Sequence, residues 1–195
     1  MKRLIDMLGA GVALALLSPL IAAVALAVKL TSSGSVIFRQ RRLGRNGRPF
    51  DVYKFRSMRV DAPDVRNPDG SAFSGEDDPR VTAVGRFIRK TSLDELPQLL
   101  NVLVGDMSLV GPRPDQVDQI RFYDEVEKRK LLVKPGITGL AQISGRNDIS
   151  WKMRKALDVR YVDERSLLMD LEILARTIPY VLLRKGIHTG VSRQA

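Results

Sequence analysis

Residues 7–28, MLGAGVALALLSPLIAAVALAV, form an apolar segment that decides how the rest of this chain can be arranged. As one α-helix these residues would extend about 33 Å, which is enough to cross the hydrocarbon core of a bilayer. Lys2 and Arg3 precede the segment as in a signal peptide, but the apolar run is longer than a signal peptide's apolar region. The segment therefore predicts a membrane helix.

Basic residues flank this segment on both sides. Lys2 and Arg3 precede it, and the cations that follow it include Lys29, Arg39, Arg41, Arg42 and Arg45. Positive charge next to a membrane segment favours the cytoplasmic side, so both ends are expected there. One straight span cannot provide this, and the charges favour a helix that enters the membrane and returns.

The dipeptide Ser18-Pro19 near the middle of the segment allows such a return. Pro19 cannot donate to the Ala15 carbonyl and its ring pushes that carbonyl away, so a helix bends there. The Ser18 hydroxyl can donate to a freed carbonyl, as the bilayer interior requires. We expect a re-entrant membrane helix over residues 1–30, whereas hydropathy alone favours a single kinked span.

The chain has 195 residues, which is enough for one domain. Its composition limits the classes of partner and of chemistry that are expected. The 32 Lys and Arg against 22 Asp and Glu give a formal net charge of +10, which favours nucleic acid, a phosphorylated substrate or anionic lipid as partner. Nucleic acid is disfavoured, because 6% aromatic residues are too few for an interleaved basic and aromatic face. The lack of Cys excludes disulfides, and His188 is the only His.

The remainder of the chain predicts a compact cytoplasmic catalytic domain over residues 31–185 and a C-terminal tail over residues 186–195. The apolar residues 36–38 and the strand-like stretch FDVYKF at 50–55 flank Asn46-Gly47, a strong β-hairpin signal. Residues 60–79 are rich in Asp, Pro, Gly and Ser and predict a mobile surface loop.

Hydrophobic periodicity predicts the helices of this domain. They are expected at residues 82–90, 94–104, 115–131, 151–164 and 166–185. Pro179 should kink or interrupt the last one. The fold class is mixed α/β and mainly helical: an N-terminal re-entrant membrane helix, then a compact cytoplasmic domain with a small β-hairpin and interfacial helices.

The segment TSLDELPQLLNVLVGDMSLVGPRP at residues 91–114 carries the strongest chemical signal. Asp94 and Glu95 lie where a helix is expected to begin, and Arg113 lies between two prolines near the end. Carboxylates beside backbone N–H groups and cations suit chemistry at a phosphate.

A structural interpretation of the same carboxylates stays open from spacing. Ser92 and Glu95 fit a capping box at the start of a helix. Alternatively Asp94 is the N-cap, which leaves Pro97 where its missing N–H costs little. Spacing alone favours capping, and only the surrounding residues change that balance.

Several cations bracket the acidic pair: Lys54, Arg56, Arg86, Arg89, Lys90 and Arg113. Lys54 and Arg56 share one face of a strand end, because side chains two residues apart point the same way. Each cation alone is a common surface charge, but as a group around two carboxylates they predict a diphosphate site. Mg²⁺, held by one or two carboxylates and by substrate phosphates, would complete it. The chain has no P-loop, dinucleotide fingerprint or kinase signature.

Five stretches carry a resemblance to a known family: LIDMLGA at residues 4–10, Ser18-Pro19, VIFRQRRLGRNGRPFDVYKFRSM at 36–58, residues 91–114, and KPGITGLAQISGRNDISW at 134–151. The chain resembles the bacterial sugar transferases, that is the monotopic phosphoglycosyl transferases or polyprenyl-phosphate glycosyl-1-phosphate transferases. The resemblance covers nearly the whole chain, except the loop at 60–80 and the last ten or so residues. The chain is similar to the minimal catalytic unit, without the extra N-terminal membrane helices of larger members.

The resemblance implies a two-step phosphosugar transfer from a UDP-sugar to undecaprenyl phosphate, with release of UMP. Asp94 matches the family's nucleophile, which forms an aspartyl-phosphosugar that the lipid phosphate then attacks. Glu95 matches the second member of the acidic dyad, as a metal ligand, a proton-transfer group or a positioning group. Mg²⁺ is the implied cofactor, with Asp94 and Glu95 as its ligands.

The resemblance also assigns binding and membrane residues. Lys54, Arg89 and Arg113 match the family's phosphate-contacting cations, and Ser18-Pro19 matches the dipeptide that breaks its re-entrant helix. The implied location is the cytoplasmic face of the bacterial inner membrane, among phospholipids, in exopolysaccharide, glycoconjugate or lipopolysaccharide assembly. The sugar and the oligomeric state stay open.

The alternative class is a non-catalytic basic peripheral membrane protein that binds anionic lipid. It would use the same anchor and the same positive charge. The acidic pair beside bracketing cations argues against it, since a lipid-binding surface has no need of Asp94.

Overall fold

The computed structural model describes residues 1–66, 73, 75 and 78–183 of the chain. In this part of the chain the helices are α1 (Lys2–Thr31), α2 (Ala83–Lys90), α3 (Gln98–Val104), α4 (Leu140–Ile143), α5 (Trp151–Glu164) and α6 (Leu167–Leu182). The strands are β1 (Ile37–Leu43), β2 (Pro49–Phe55), β3 (Ser108–Val110) and β4 (Gly136–Thr138). The fold is mixed α/β and mainly helical, as predicted. The predicted tail at 186–195, with His188, lies outside the described residues, as does part of the predicted loop at 60–79.

Helix α1 extends beyond the apolar segment and runs without interruption from Lys2 to Thr31. Pro19 lies inside it, and the Ser18 hydroxyl donates to the Ala15 carbonyl at 2.9 Å. This confirms the expected partner for the carbonyl that proline leaves unpaired. Among the described residues, α1 is the one helix long and apolar enough to cross a membrane.

Polar contacts fix the N-terminal end of α1 to the rest of the domain. Arg3 donates to backbone carbonyls at the end of α3. The buried Asp6 carboxylate accepts from Ser108 Oγ at 2.8 Å and from the Leu109 backbone N–H at 3.0 Å, both in β3. The start of α1 is therefore part of the domain.

The C-terminal end of α1 packs on the same domain. Val24 and Val28 are buried in one core cluster with Phe55 of β2 and Ile88 of α2. Arg56 donates to the Ser32 carbonyl just beyond the helix end at 2.8 Å. Both ends of α1 thus contact the same domain. They do so although the helix has 30 residues, which would place the ends about 45 Å apart if it were straight.

The outward face of α1 is apolar and exposed. Its large side chains include Leu4, Leu8, Val12, Leu16, Leu26 and Leu30, of which Leu16 is 76% exposed. Helix α6 exposes a second apolar set, Leu168, Leu171 and Ile178. Such faces are typical of helices that lie against a membrane.

Strands β1 and β2 form the predicted hairpin. They pair antiparallel from Ile37 opposite Phe55 to Leu43 opposite Pro49. In the loop Asn46 and Gly47 have φ of 57° and 73°. Asn and Gly tolerate this left-handed conformation best, which is why the dipeptide predicts the turn.

The helix predictions are confirmed in part. The prediction for 151–164 coincides with α5, and those for 82–90 and 166–185 agree closely with α2 and α6. The prediction for 115–131 is wrong, because that stretch forms two 3-10 turns, Val117–Phe122 and Glu127–Leu132. There the Asp124 and Glu127 side chains each accept from the other's backbone N–H, in competition with helical hydrogen bonds.

The short parallel pair of β3 and β4 lies between the core clusters of the domain. Ser108 is opposite Gly136, and Val110 is opposite Thr138. One cluster comprises Ala10, Phe50, Val52, Leu99, Val102 and Met107. Another comprises Val110, Ile143, Tyr161, Val162 and Ile173. This arrangement brings the segments just before and just after α3 close to α1. These two segments hold the predicted site residues Asp94, Glu95 and Arg113.

Candidate active site

The acidic pair lies in a short 3-10 turn, Leu93–Glu95, and not at a helix cap. Ser92 precedes the turn with φ 56° in the left-handed region, and its side chain makes no capping hydrogen bond. Helix α3 begins only at Gln98, after Pro97, which also provides no side-chain cap. The capping interpretation is therefore wrong, because Glu95 binds Lys54 and Arg113 instead. The helix predicted over 94–104 is confirmed from Gln98 to Val104, and its start was predicted four residues too early because Pro97 delays it.

Two cations hold the Glu95 carboxylate. Lys54 Nζ and Arg113 Nη2 donate to the same oxygen, Glu95 Oε1, at 2.7 Å and 2.9 Å. Burial alone would raise the pKa of Glu95, but the charges of Arg113 and Lys54 outweigh it and hold the pKa well below its usual range. Glu95 is therefore ionised at any physiological pH.

The neighbouring Asp94 carboxyl group has the opposite character. The residue is 9% exposed, and neither Lys54 nor Arg113 forms an ion pair with it. Burial raises the pKa of Asp94 to about 6; the charge of Lys54 limits the rise and that of Glu95 adds to it. Two adjacent carboxyl groups with separated pKa values are typical of an active site that gives them different roles.

The structure brings the three predicted phosphate-binding cations to this pair by different routes. Lys54 extends from the end of β2, and Arg113 from the loop after β3. Arg89, in the last turn of α2, donates its Nε to Ser57 Oγ at 2.8 Å, and its charge lowers the pKa of Asp94. Arg56, expected on the same face as Lys54, is instead buried against the C-terminal end of α1.

A network of contacts fixes the loop that carries Arg113. The Pro112 carbonyl accepts from Gly136 N–H of β4 at 2.9 Å. Next along the chain, Asp115 accepts from Lys130 Nζ at 2.8 Å, and Lys130 also pairs with Asp158 of α5 at 2.6 Å. Arg113 is therefore positioned by its neighbours and not only by the two prolines that flank it.

Two arginines near the pair were not predicted as site residues. Arg42 of β1 reaches the Pro114 carbonyl at 3.4 Å, and burial and the charge of Arg113 lower its pKa to about 10. Arg146 donates to Ser92 Oγ at 3.2 Å, and its charge helps to lower the pKa of Glu95. In the sequence Arg42 reads as a flanking charge of the membrane segment, and Arg146 is 51 residues from Glu95 by numbering. No local spacing relates either one to the pair.

The acidic pair fits the donor set for Mg²⁺. Lys54 and Arg113 both bind Glu95 Oε1, which leaves Oε2 free of either cation. Mg²⁺ commonly takes one or two carboxylates and completes its shell with water and substrate phosphates. Within the described ranges no group of three or more Asp, Glu, His or Cys side chains could hold a metal by itself.

Cations around one carboxylate, beside a second, buried carboxyl group whose pKa is raised to about 6, suit group transfer at phosphorus. Together with the long apolar helix α1, such a site is typical of a transferase that acts at a membrane. Comparison with known proteins narrows this class: the chain belongs to the bacterial sugar transferase family, whose model matches residues 1–184.

Named relatives agree with this family. The chain is 49% identical to galactosyl transferase CpsE of Streptococcus agalactiae, over 95% of the chain and 43% of that protein. It is 46% identical to the exopolysaccharide production protein ExoY of Rhizobium meliloti, over 95% of the chain and 87% of that protein. It is also 46% identical to the UDP-glucose:undecaprenyl-phosphate glucose-1-phosphate transferase of Escherichia coli, over 91% of the chain and 39% of that protein. The chain thus spans less than half the length of two of these relatives.

Proposed function

We propose that this protein transfers a phosphosugar from a UDP-sugar to undecaprenyl phosphate and releases UMP. The name of the Escherichia coli relative, which states such a donor and acceptor, supports the reaction. The proposal rests chiefly on the different environments of the two acidic residues. The pKa of Asp94 is raised to about 6, and Glu95 is paired with two cations. The relatives' names differ in sugar, so the donor is proposed as a class, the UDP-sugars.

In the first step an oxygen of Asp94 attacks the phosphorus that carries the sugar. The bond from that phosphorus to the oxygen bridging toward uridine breaks, and UMP leaves with the electron pair. The product is an aspartyl-phosphosugar, a covalent intermediate of the kind carboxylates form. With a pKa of about 6, Asp94 is mostly ionised and able to attack near pH 7.

In the second step an oxygen of undecaprenyl phosphate attacks the same phosphorus. The bond between phosphorus and Asp94 breaks, which restores the carboxylate and yields undecaprenyl-diphospho-sugar. Both steps balance without an oxidant or an external base, because each nucleophile is already ionised. The two steps share one site, so nucleotide and lipid can be used in turn.

The cations neutralise charge on the transferred phosphoryl group. Arg113 offers a planar donor fork and Lys54 a point charge, while Arg89 lies on the Asp94 side of the site. Mg²⁺ held by Asp94 and Glu95 would add Lewis-acid stabilisation of the diphosphate charge. Glu95 positions the two cations, and it would help to hold the metal beside the nucleophile.

We further propose that α1 is re-entrant and holds the domain at the cytoplasmic face of the inner membrane, in contact with phospholipids. Support comes from the packing of α1, whose two ends both contact the same domain. A helix that crossed the bilayer would carry one end away from that domain. The basic flanks and the exposed apolar face of α1 agree with this placement.

The test is nucleotide release by the full chain in nanodiscs with Mg²⁺. A panel of UDP-sugars with undecaprenyl phosphate should give UMP. Without the lipid, UMP release should not exceed the enzyme present, and a phosphosugar mass should appear on the peptide that holds Asp94. Release that strictly needs lipid, with no adduct, would contradict the aspartyl step. Vesicle binding with no release from any UDP-sugar would favour a non-catalytic lipid-binding protein.

A further inference from the structure

A cavity of about 280 Å³ lies beside the acidic pair, between α1, α4 and α6. Its apolar lining includes Ala13, Leu17, Leu96, Leu99, Ile143 and Val181. Glu95 lines the same space, so the cavity is continuous with the candidate active site. The roles proposed above for Asp94, Glu95 and the cations leave this space without an assigned ligand.

Two polar side chains in the cavity wall lack hydrogen-bond partners among the described residues. Gln142 is 7% exposed, yet neither its amide nitrogen nor its amide oxygen has a partner. Arg146 uses Nη2 to bind Ser92 Oγ, but its buried Nη1 has no partner. Buried polar groups are nearly always hydrogen-bonded in folded proteins, so these atoms indicate a ligand that completes them.

The chemistry of these atoms fits a phosphate monoester. Arg146 Nη1 and the Gln142 amide nitrogen are donors for phosphate oxygens, and the Gln142 oxygen can accept from a singly protonated phosphate. Glu95 does not neutralise Arg146 by an ion pair, because Lys54 and Arg113 hold it. The mainly apolar wall offers few partners for the hydroxyls of a ribose or the edge of a base.

We propose that this cavity binds the acceptor lipid, with its phosphate at Arg146 and Gln142 and its first isoprene units against the apolar wall. The inference rests on the proposed function and names the acceptor subsite. Ala13 and Leu17 belong to α1 and lie just before Ser18-Pro19, so the lipid tail enters along the membrane helix. The phosphate then lies on the Glu95 side of the pair, next to the phosphorus on Asp94.

A matched pair of substitutions on α1 tests the apolar wall. Leu17→Trp fills the cavity, whereas Leu16→Trp adds the same side chain to the adjacent residue, which is 76% exposed. With the full chain in nanodiscs, Leu17→Trp should raise the KM for undecaprenyl phosphate at least tenfold and change the KM for the UDP-sugar less than twofold. Leu16→Trp should match the wild type in both constants.

A near-isosteric change tests the polar end. Gln142→Glu keeps the shape of the side chain but adds a negative charge that repels a phosphate. It should therefore raise the KM for the lipid at least tenfold. A prenyl phosphate with a benzophenone on its first isoprene unit should label the wild-type peptide 137–146. Excess farnesyl phosphate should suppress this labelling, and phosphatidylglycerol should not.

Several results would overturn the acceptor assignment. One is a rise in the KM for the UDP-sugar in either Leu17→Trp or Gln142→Glu, since the cavity would then hold the donor. Equal behaviour of Leu16→Trp and Leu17→Trp would also overturn it, as would labelling that phosphatidylglycerol suppresses. The labelling needs no turnover, so it separates this inference from the proposed function, whose failure would show as absent UMP release in the wild type.

Discussion

At the scale of single residues, Asp94 and Glu95 show how adjacent carboxyl groups acquire opposite properties. Glu95 turns toward Lys54 and Arg113, and Asp94 is buried beside them. The pKa values therefore separate, downward for Glu95 and up to about 6 for Asp94. The sequence predicts the pair and its cations, but not which carboxylate the cations bind, because that depends on contacts over 41 and 18 positions.

The first prediction is that Asp94→Asn abolishes turnover and stabilises the protein at neutral pH. The pKa of Asp94 is raised from 3.8 to about 6 on folding, so ionisation destabilises the folded state as pH rises through this window. Asn avoids this cost, which we expect to be about 1–3 kcal/mol above pH 7. Melting temperatures at pH 4.5 and 7.5 should show a clearly larger gain at the higher pH. An active variant of unchanged stability would restore the capping role.

The second prediction concerns the pH dependence of the first step. A nucleophilic Asp94 must be ionised, so the rate of lipid-independent UMP release should fall as pH drops below about 6, the pKa of that group. Rapid-quench measurements between pH 4.5 and 8 would follow this release. A rate that stays flat down to pH 5 would exclude Asp94 as the titrating nucleophile.

The third prediction is that Arg113→Lys loses activity although the charge is kept. Lysine cannot reproduce the planar donor fork, and a lost charge-assisted hydrogen bond of roughly 1.5–3 kcal/mol lowers the rate about ten- to a hundredfold. Arg176→Lys is the control, because Arg176 is an exposed residue paired with Glu172 within α6. Wild-type turnover in Arg113→Lys would place Arg113 away from the phosphates.

At the scale of elements, local signals predict structure where local interactions decide it. Asn46-Gly47 fixes the hairpin, and the periodicity of residues 151–164 gives α5. The predictions that are wrong concern side chains whose partners are distant in sequence. Glu95 binds Lys54 of β2 instead of capping a helix. The stretch 115–131 forms 3-10 turns beside a buried lysine instead of an α-helix.

That lysine, Lys130, joins the loop of Arg113 to α5. It is buried between Asp115 and Asp158, and these two carboxylates outweigh its burial and raise its pKa. Removal of Lys130 would leave both buried carboxylates without their cation. A buried charge without a partner is far less favourable than the intact ion-pair network. The network thus couples the fold to the placement of Arg113.

The fourth prediction follows from this network. Lys130→Met should lower stability by about 3–5 kcal/mol, as for other broken buried pairs. The melting temperature would then fall by about 6–20 °C for a chain of this size. Lys130→Met combined with Asp158→Leu should recover part of the loss, since it removes one of the two carboxylates that the single variant leaves without a cation. Equal losses in both variants would show that Lys130 acts through packing alone.

At the scale of the whole molecule, the fold class could be predicted from the sequence but the docking of α1 could not. Hydropathy and flanking charge predict a membrane helix and favour two cytoplasmic ends. They do not reveal that Asp6 binds Ser108, or that Val24 and Val28 join the core of the domain. These contacts link segments far apart in sequence, beyond the reach of any periodic pattern.

The fifth prediction concerns topology. Tags at residue 1 and at the C-terminus should both be labelled only from the cytoplasmic side. Replacement of Ser18 and Pro19 by Leu and Ala should favour a spanning helix and move the N-terminus across the membrane. Ala22→Leu with Ala23→Leu is the control, because it raises hydropathy and keeps the proline. A wild-type N-terminus labelled from the periplasm would contradict the re-entrant helix.

The packing of α1 also bears on how the acidic pair is held in place. Leu93 and Leu96, on either side of the pair, pack on the core cluster to which Val24 and Val28 of α1 belong. A change that displaces α1 from the domain is therefore expected to remove part of the apolar support of the turn that carries Asp94. Anchor helix and catalytic turn are thus structurally interdependent.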